Sequence, residues 1–114
     1  MPKSKEKREQ LEAQIQKVSN ELLRSGFNNQ NFQFVSMTRV ELNGDFSEVK
    51  LFWDTFDASS KDSIHKALIG ARGRFRSLLA KELKIRHTPT ITFMYDSQFE
   101  DENHINQILQ AERA

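Results

Sequence analysis

Residues 70–86 constrain the fold of this chain more than any other stretch, because two glycines interrupt a run that otherwise has a helical pattern. Six lysines and arginines lie within the same stretch, against the single acid Glu82. The pattern predicts two helices joined by a short break, the second of them amphipathic with one basic face. Since the whole chain has a net charge of only +1, this local excess of positive charge indicates a surface that binds nucleic-acid phosphates.

The composition excludes several other classes of protein. With no cysteine, the chain has no disulfide, no thiolate metal ligand and no cysteine nucleophile. It has no apolar run long enough for a membrane span, and its charged start is unlike a secretory signal. We expect a monomer in the cytoplasm, without a membrane partner. It should fold as one domain over residues 1–114, with residues 1–7 frayed and residues 97–114 forming a C-terminal extension.

Hydrophobic spacing predicts the order α-β-β-α-α-β. The first helix is expected from about Lys5 to Arg24, and the strands from 34 to 42, from 49 to 53 and from 90 to 95. The crossover of about thirty-five residues between the second and third strands is long enough to make them parallel neighbours. We therefore expect an α+β fold in which helices cover one face of a three-stranded mixed sheet.

Turn and cap signals mark the ends of these elements. Asn43-Gly44-Asp45 predicts a tight hairpin turn, since Asn-Gly tolerates the positive φ that such turns need. Ser59 followed by Asp62 resembles a capping box at the start of the second helix. A short helix is expected near residues 105–111 in the C-terminal extension.

The third helix is predicted to have two distinct sides. Its buried side chains are expected to be Phe75, Leu78, Leu79 and Leu83. At about 100° per residue, the opposite side carries Arg74, Ser77, Lys81 and Lys84. A basic helix face is either simply solvated or phosphate-binding, and the excess of cations favours phosphate binding. Arg76 lies at the edge of the apolar stripe, where it can pack or bind.

Other candidate residues have plainer interpretations. The aromatic residues of the strands are Phe52, Trp53, Phe93 and Tyr95. We expect them in the core rather than stacked on bases. The exception is Phe52, which can lie on the exposed face of the sheet. The aromatics near the first loop are also expected to close the core, namely Phe27, Phe32 and Phe34. The N-terminal cations are either a solvated helix start or part of a binding surface; they are Lys3, Lys5, Lys7 and Arg8. The three histidines lack metal-ligand spacing, so we expect no metal, cofactor, small-molecule substrate or enzymatic activity.

Two stretches and one motif resemble a known family. Residues 74–96 combine a basic amphipathic helix, the segment Arg86-His87-Thr88-Pro89 and a strand that ends in Tyr95-Asp96, while residues 40–51 form a hairpin. Between the two helices, Ala71-Arg72-Gly73 stands where ordinary KH domains have Gly-x-x-Gly. Over about residues 8–110, the chain thereby resembles the ribosome-binding factor A family, bacterial proteins that mature the small ribosomal subunit.

The resemblance implies a type II KH-like domain whose interhelical kink, formed by Ala71, Arg72 and Gly73, is shaped by the glycine. It implies a non-enzymatic assembly factor that binds the 30S subunit and 16S rRNA and assists late 30S maturation and 16S rRNA processing. The implied RNA-binding residues are Arg72, Gly73, Arg74, Arg76, Ser77, Lys81, Lys84 and Arg86. A Gly73→Val variant is expected to harm both fold and function. Two alternatives stay open: a generic KH-like module for single-stranded RNA, and a protein-interaction module with a basic face.

Overall fold

Six helices and strands make up the part of the chain that the computed structural model describes, the backbone of residues 2–96 and the side chains of residues 6–96. They are α1 (Pro2–Ser25), β1 (Val35–Leu42), β2 (Glu48–Thr55), α2 (Lys61–Gly70), α3 (Arg72–Leu83) and β3 (Thr90–Tyr95). Short 3₁₀ turns at Gln30–Phe32 and Ala58–Ser60 precede β1 and α2. The predicted order is confirmed, although α1 begins before Lys5. The predicted extension at 97–114, with its short helix, lies outside the described residues.

The three strands form one mixed sheet in the order β1-β2-β3. As predicted, β2 pairs antiparallel with β1 and parallel with β3. In the parallel pair, Val49 aligns with Ile91 and Leu51 with Phe93, so buried side chains of neighbouring strands stand side by side. The α2–α3 pair provides the long connection that two parallel strands require.

The helices cover one face of this sheet. α1 packs on β1 and α3, while α2 and α3 pack on β3. The inward side chains of the strands join those of the helices in a single core, whose largest members include Trp53, Phe32 and Phe75. Burying one such side chain contributes about 1.5–3 kcal/mol relative to exposure, so the core fixes the position of the helix pair. None of the helices described combines the length and the apolar character needed to cross a membrane.

Polar side chains fix α1 against the start of β1, where pairing with β2 shifts its register after Met37. Asn20 Oδ1 accepts a hydrogen bond from the Met37 N–H at 2.8 Å, and Asn20 Nδ2 donates to the Met37 carbonyl at 3.2 Å. Arg24 donates to the carbonyl oxygens of Phe32 at 2.7 Å and Val35 at 2.6 Å. These side chains give partners to backbone groups beside an irregular stretch of strand.

The β1–β2 hairpin corrects the predicted turn geometry. Its positive φ, 62°, occurs at Phe46, and no glycine within residues 2–96 has a positive φ. The loop is longer than a two-residue turn: the Asn43 N–H donates to the Glu48 carbonyl, and the Phe46 N–H donates to the Asn43 carbonyl, each at 3.1 Å. The Phe46 side chain packs against the core, which offsets its unusual backbone. Gly44 therefore does not supply the geometry of the turn.

The predicted capping box of Ser59 and Asp62 is wrong. α2 begins at Lys61, and Ser60 precedes it without a side-chain hydrogen bond to the helix. The 3₁₀ turn before the helix instead brings the hydroxyls of Ser59 and Ser60 to the carboxylate of Asp57, to which both donate. These hydrogen bonds hold the pKa of Asp57 below its ordinary value, and the bond from Ser59 has the larger effect.

Most predictions for the aromatic side chains are confirmed. Phe32, Trp53 and Phe93 are buried, and Phe27, Phe52 and Tyr95 are half-buried. The prediction for Phe34 is wrong, since this side chain is 64% exposed. Phe34 lies in the turn before β1, just outside the strand in which Val35 faces the core.

Candidate RNA-binding surface

The break between α2 and α3 is a single residue, Ala71. Its backbone, with φ −93° and ψ 0°, lies between the helical and extended regions. Its N–H still donates to the carbonyls of Ala67 at 3.0 Å and Leu68 at 3.1 Å, and its carbonyl accepts from the Phe75 N–H at 2.8 Å. Hydrogen bonds thus continue on both sides of one non-helical residue. This arrangement confirms an interhelical kink within the predicted Ala71–Gly73 segment.

Gly73 does not shape the kink, because it lies inside α3 rather than at the break. Its φ is not positive, and a Cβ added at Gly73 would meet no atom within 4 Å. An added Cβ at Gly73 meets no neighbour, which argues against the expected harm to the fold in Gly73→Val. What the glycine does provide is an exposed helical backbone that another molecule can approach closely.

The outer face of α3 is defined here as Arg74, Ser77, Lys81 and Lys84. All four side chains are exposed, as predicted. On the other side Phe75 and Leu79 are buried, whereas Leu78 and Leu83 are only half-buried because they lie at the boundary between the two sides. At 1.5 Å per residue, Arg74 and Lys81 are about 10 Å apart along the helix axis. Within residues 6–96, no cation of the outer face forms an ion pair with a carboxylate.

The other predicted cations lie off the outer face. Arg72 is exposed, and its Nη1 is 3.5 Å from the Ile91 carbonyl oxygen. Arg76 Nη2 donates to the Thr88 carbonyl at 2.8 Å, so Arg76 ties α3 to the connection that leads to β3. Arg86 is exposed in that same connection. The predicted cations therefore fall into three places: the outer face, Arg72 near β3, and a group formed by Arg76 and Arg86.

Lys84 ends α3 in a conformation that is unusual for lysine. Its φ of 54° and ψ of 36° are left-handed, and its N–H donates to the Ala80 carbonyl at 3.0 Å. Glycine is the common residue at such a position, because the left-handed conformation costs a residue with a Cβ about 1–2 kcal/mol. The chain instead places a cation at the end of the outer face.

An aromatic cluster lies beneath the beginning of the outer face. The guanidinium carbon of Arg74 is 5.8 Å from the centre of the Phe27 ring. That ring stacks on Phe75 at 5.5 Å and meets Phe32 edge-on at 5.4 Å. The cation–π contact and the stacked rings couple the position of Arg74 to the core.

Sequence reasoning missed a groove between α2 and β3. Its volume is about 580 Å³, and its lining includes Trp53, His65, Lys61 and Lys66. The rings of Trp53 and His65 stack with their centres 6.0 Å apart. The buried Trp53 Nε1 and His65 Nδ1 have no hydrogen-bond partner among the described residues. Strand alternation indicated that Trp53 is buried, but no sequence signal shows that its N–H lacks a partner.

Comparison with known proteins gives a consistent family. A family model described as ribosome-binding factor A matches residues 7–109. Ribosome-binding factor A of Natranaerobius thermophilus is 31% identical over 105 residues, covering 90% of this chain and 79% of that protein. The Francisella philomiragia protein of the same name is 32% identical over 108 residues, covering 91% of this chain and 76% of that protein.

Solved structures of similar fold agree with this family. The crystal structure of ribosome-binding factor A from Thermus thermophilus has a TM-score of 0.68 at 23% identity, covering 77% of this chain and 93% of that one. The solution structure of a Thermotoga maritima protein, proposed to be a ribosome-binding factor A, has a TM-score of 0.67 at 28% identity, covering 76% and 84%. A Thermus thermophilus homology model fitted into a cryo-EM map of a complex with the 30S subunit has a TM-score of 0.65 at 21% identity, covering 77% and 93%. These likenesses confirm the type II KH-like α+β fold.

Proposed function

This chain belongs to the ribosome-binding factor A family, and from that membership we propose that it binds the small ribosomal subunit as a non-enzymatic assembly factor. It contacts 16S rRNA and assists late 30S maturation, including 16S rRNA processing. The relative fitted into a map of a 30S complex supports this choice of partner. The proposal includes a cytoplasmic monomer with a single domain over residues 1–114.

One observation carries the proposal: the outer face of α3 presents three exposed cations that have no carboxylate partner within residues 6–96. Arginine and lysine at such positions bind phosphate oxygens and displace the counterions condensed on RNA. Contacts of this kind position a protein but do not read base sequence. The shape of the folded rRNA therefore supplies the selectivity.

The same contacts set the dependence of binding on salt. If Arg72 and the three outer-face cations each neutralise one phosphate, log K falls against log salt with a slope of about −3. Replacing Arg74 and Lys81 by glutamine removes two of these contacts and makes the slope shallower by about 1.5. The 30S affinity measured at several salt concentrations gives this slope directly.

Charge reversal is the sharpest test of the outer face. The Arg74→Glu/Lys81→Glu variant is expected to lose association with 30S subunits in co-sedimentation at low salt, because two attractive contacts become repulsive. Its fold should remain intact, since both side chains are exposed. The matched control is Lys17→Glu/Lys50→Glu, which changes the net charge equally at exposed positions outside α3. Circular dichroism and thermal unfolding of both variants report the fold.

Two results would count against this assignment. If the control loses 30S association as completely as the α3 variant, net charge rather than the outer face governs binding. If the α3 variant unfolds, the assignment of Arg74 and Lys81 to an exposed face is wrong. Chemical footprinting of 16S rRNA with and without the protein then locates the contact.

The groove between α2 and β3 favours a second candidate function, a KH-like module that binds single-stranded RNA. The rings of His65 and Tyr95 line the groove and can stack on an unstacked base, while the exposed Lys66 can meet a backbone phosphate. Ala71-Arg72-Gly73 in place of Gly-x-x-Gly counts against this candidate. Tight, sequence-selective binding of short oligonucleotides, without a preference for 30S subunits, would support it over the assembly factor.

A further inference from the structure

A small cavity lies between α3 and the connection to β3, and it borders the outer face of α3 at Ser77. Its volume is about 340 Å³, and its lining consists of Arg76, Ser77, Ala80, Arg86, His87 and Thr88. The first three residues belong to α3 and the last three to the connection. At about 30 Å³ per water molecule, the cavity has room for a small anion together with bound water.

Both walls of the cavity are held in place. The hydrogen bond of 2.8 Å from Arg76 Nη2 to the Thr88 carbonyl joins the connection to α3. The next residue, Pro89, is buried, and the Thr90 N–H donates to the Ser47 carbonyl at 2.9 Å. The connection is thus fixed first to the helix and then to the sheet. The cavity is formed before any ligand binds.

The lining of the cavity is strongly positive. Arg76 and Arg86 contribute two guanidinium groups, and none of the lining residues is acidic. Within residues 6–96, neither guanidinium has a carboxylate partner. Two like charges that line one small space repel each other, and an oxyanion with several acceptor oxygens relieves this repulsion.

The donors around the cavity suit a tetrahedral oxyanion. Arg76 uses one of its five N–H donors on Thr88. Arg86 is exposed, and its planar fork can meet two oxygens of one phosphate. The Ser77 hydroxyl uses its one O–H on the Gly73 carbonyl at 3.1 Å, so the ring N–H of His87 is the further donor.

We propose that this cavity is a phosphate-binding site, occupied in the complex by one backbone phosphate of the rRNA. The choice of rRNA rests on the proposed function, in which the outer face of α3 binds neighbouring phosphates. Arg86 makes the bidentate contact, while Arg76 combines a contact to the phosphate with its bond to Thr88. No base is read at this site.

Inorganic phosphate tests the cavity without the ribosome. The ¹⁵N-labelled full chain is titrated with sodium phosphate at constant ionic strength, with sodium chloride as the reference. We expect saturable shifts of the amide signals of Arg86, His87 and Thr88. These shifts should vanish in Arg86→Gln, and the affinity should fall at least about fivefold in Arg86→Lys, which keeps the charge but loses the fork. Lys84→Gln, which removes a nearby charge outside the cavity lining, should saturate like the wild type.

Affinity for 30S subunits, measured in phosphate-free buffer, then tests the source of the phosphate. Arg86→Gln is expected to bind 30S subunits about 10- to 100-fold more weakly than the wild type, the effect of losing a charge-assisted hydrogen bond. Its thermal midpoint should not change, because Arg86 is exposed. Arg76 is not substituted, since its bond to Thr88 shapes the cavity.

The two measurements separate the possible failures. Shifts that chloride reproduces, or that persist in Arg86→Gln, overturn the site and leave the 30S proposal untouched. Saturable phosphate binding by a protein that does not sediment with 30S subunits overturns the proposed function, and free phosphate is then the ligand. Saturable binding with unchanged 30S affinity in Arg86→Gln overturns the rRNA assignment alone.

Discussion

Replacing Gly73 by alanine is expected to make this protein more stable and a weaker binder of 30S subunits. Gly73 lies in the first turn of α3, and an added Cβ would meet no atom within 4 Å. Alanine is favoured over glycine in a helix by about 0.5–1 kcal/mol. A gain of this size raises the thermal midpoint of a small domain by about 2–6 °C.

The loss of binding follows from the same methyl group. Gly73 is among the RNA-binding residues that the family resemblance implies, and we propose that an rRNA phosphate approaches its backbone, where the Cβ of alanine would occupy the space that the phosphate uses. Losing one charge-assisted hydrogen bond costs about 1.5–3 kcal/mol, which corresponds to roughly a 10- to 100-fold loss of affinity. Stability and binding should therefore change in opposite directions.

Gly70→Ala is the matched control. Gly70 is the last residue of α2, it is exposed, and an added Cβ would also meet no atom within 4 Å. Thermal unfolding by circular dichroism measures stability, and co-sedimentation with 30S subunits at fixed salt measures affinity. We expect neither variant to be destabilised, and only Gly73→Ala to bind more weakly.

Two outcomes would refute this reasoning. Wild-type affinity in Gly73→Ala would reject the close approach of RNA to the backbone, while the charges of the outer face would keep their role. A lower thermal midpoint in Gly73→Ala would show that the added methyl group clashes with a neighbour. The description of Gly73 as an open helical position would then be wrong.

Two further predictions concern the end of α3 and the turn before α2. Lys84→Gly should raise the free energy of unfolding by about 0.5–1 kcal/mol, because glycine adopts the left-handed conformation without strain, whereas Lys84→Ala should not raise it. Both variants should bind 30S subunits more weakly. If urea unfolding shows that Lys84→Gly is destabilised, the left-handed conformation assigned to residue 84 is wrong. The pKa of Asp57 is lowered from 3.8, and the hydrogen bond from Ser59 is the largest cause. The ionised carboxylate therefore stabilises the fold above about pH 3.8, and this stabilisation is lost as the pH falls through the lowered pKa. NMR titration of Ser59→Ala/Ser60→Ala should give a higher pKa for Asp57 but not for Asp45, and an unchanged pKa of Asp57 would contradict the assigned cause.

The sequence predicted those features that depend on regular periodicity. The alternation of Val49, Leu51 and Trp53 with polar or exposed positions marked the buried face of β2, and that face is buried. The 3.6-residue period likewise placed Arg74 and Lys81 on the exposed side of α3. In both cases the position of a side chain follows from the repeat of its own element, without knowledge of distant contacts.

The details that the sequence did not predict depend on contacts between distant residues. The positive φ in the hairpin falls at Phe46, whose side chain packs against the core, and no local turn rule includes that contact. Arg76 was placed at the edge of a stripe, but its partner is the carbonyl of Thr88, in another element. The cavity beside Arg86 lies between the helix and the connection that this bond joins.

The irregular residues of the described chain differ in what compensates them. Phe46 has a positive φ, but its side chain packs against the core, so tertiary contacts offset the backbone cost. Gly73 weakens an exposed helix without filling any close contact, and Lys84 is left-handed with an exposed side chain. Gly73 and Lys84 each lower the stability of the fold by about 1 kcal/mol relative to the best residue for the position. Because packing explains neither cost, and because uncompensated departures from local preference concentrate at functional sites, we expect Gly73 and Lys84 to mark the two ends of the α3 surface that we propose for binding.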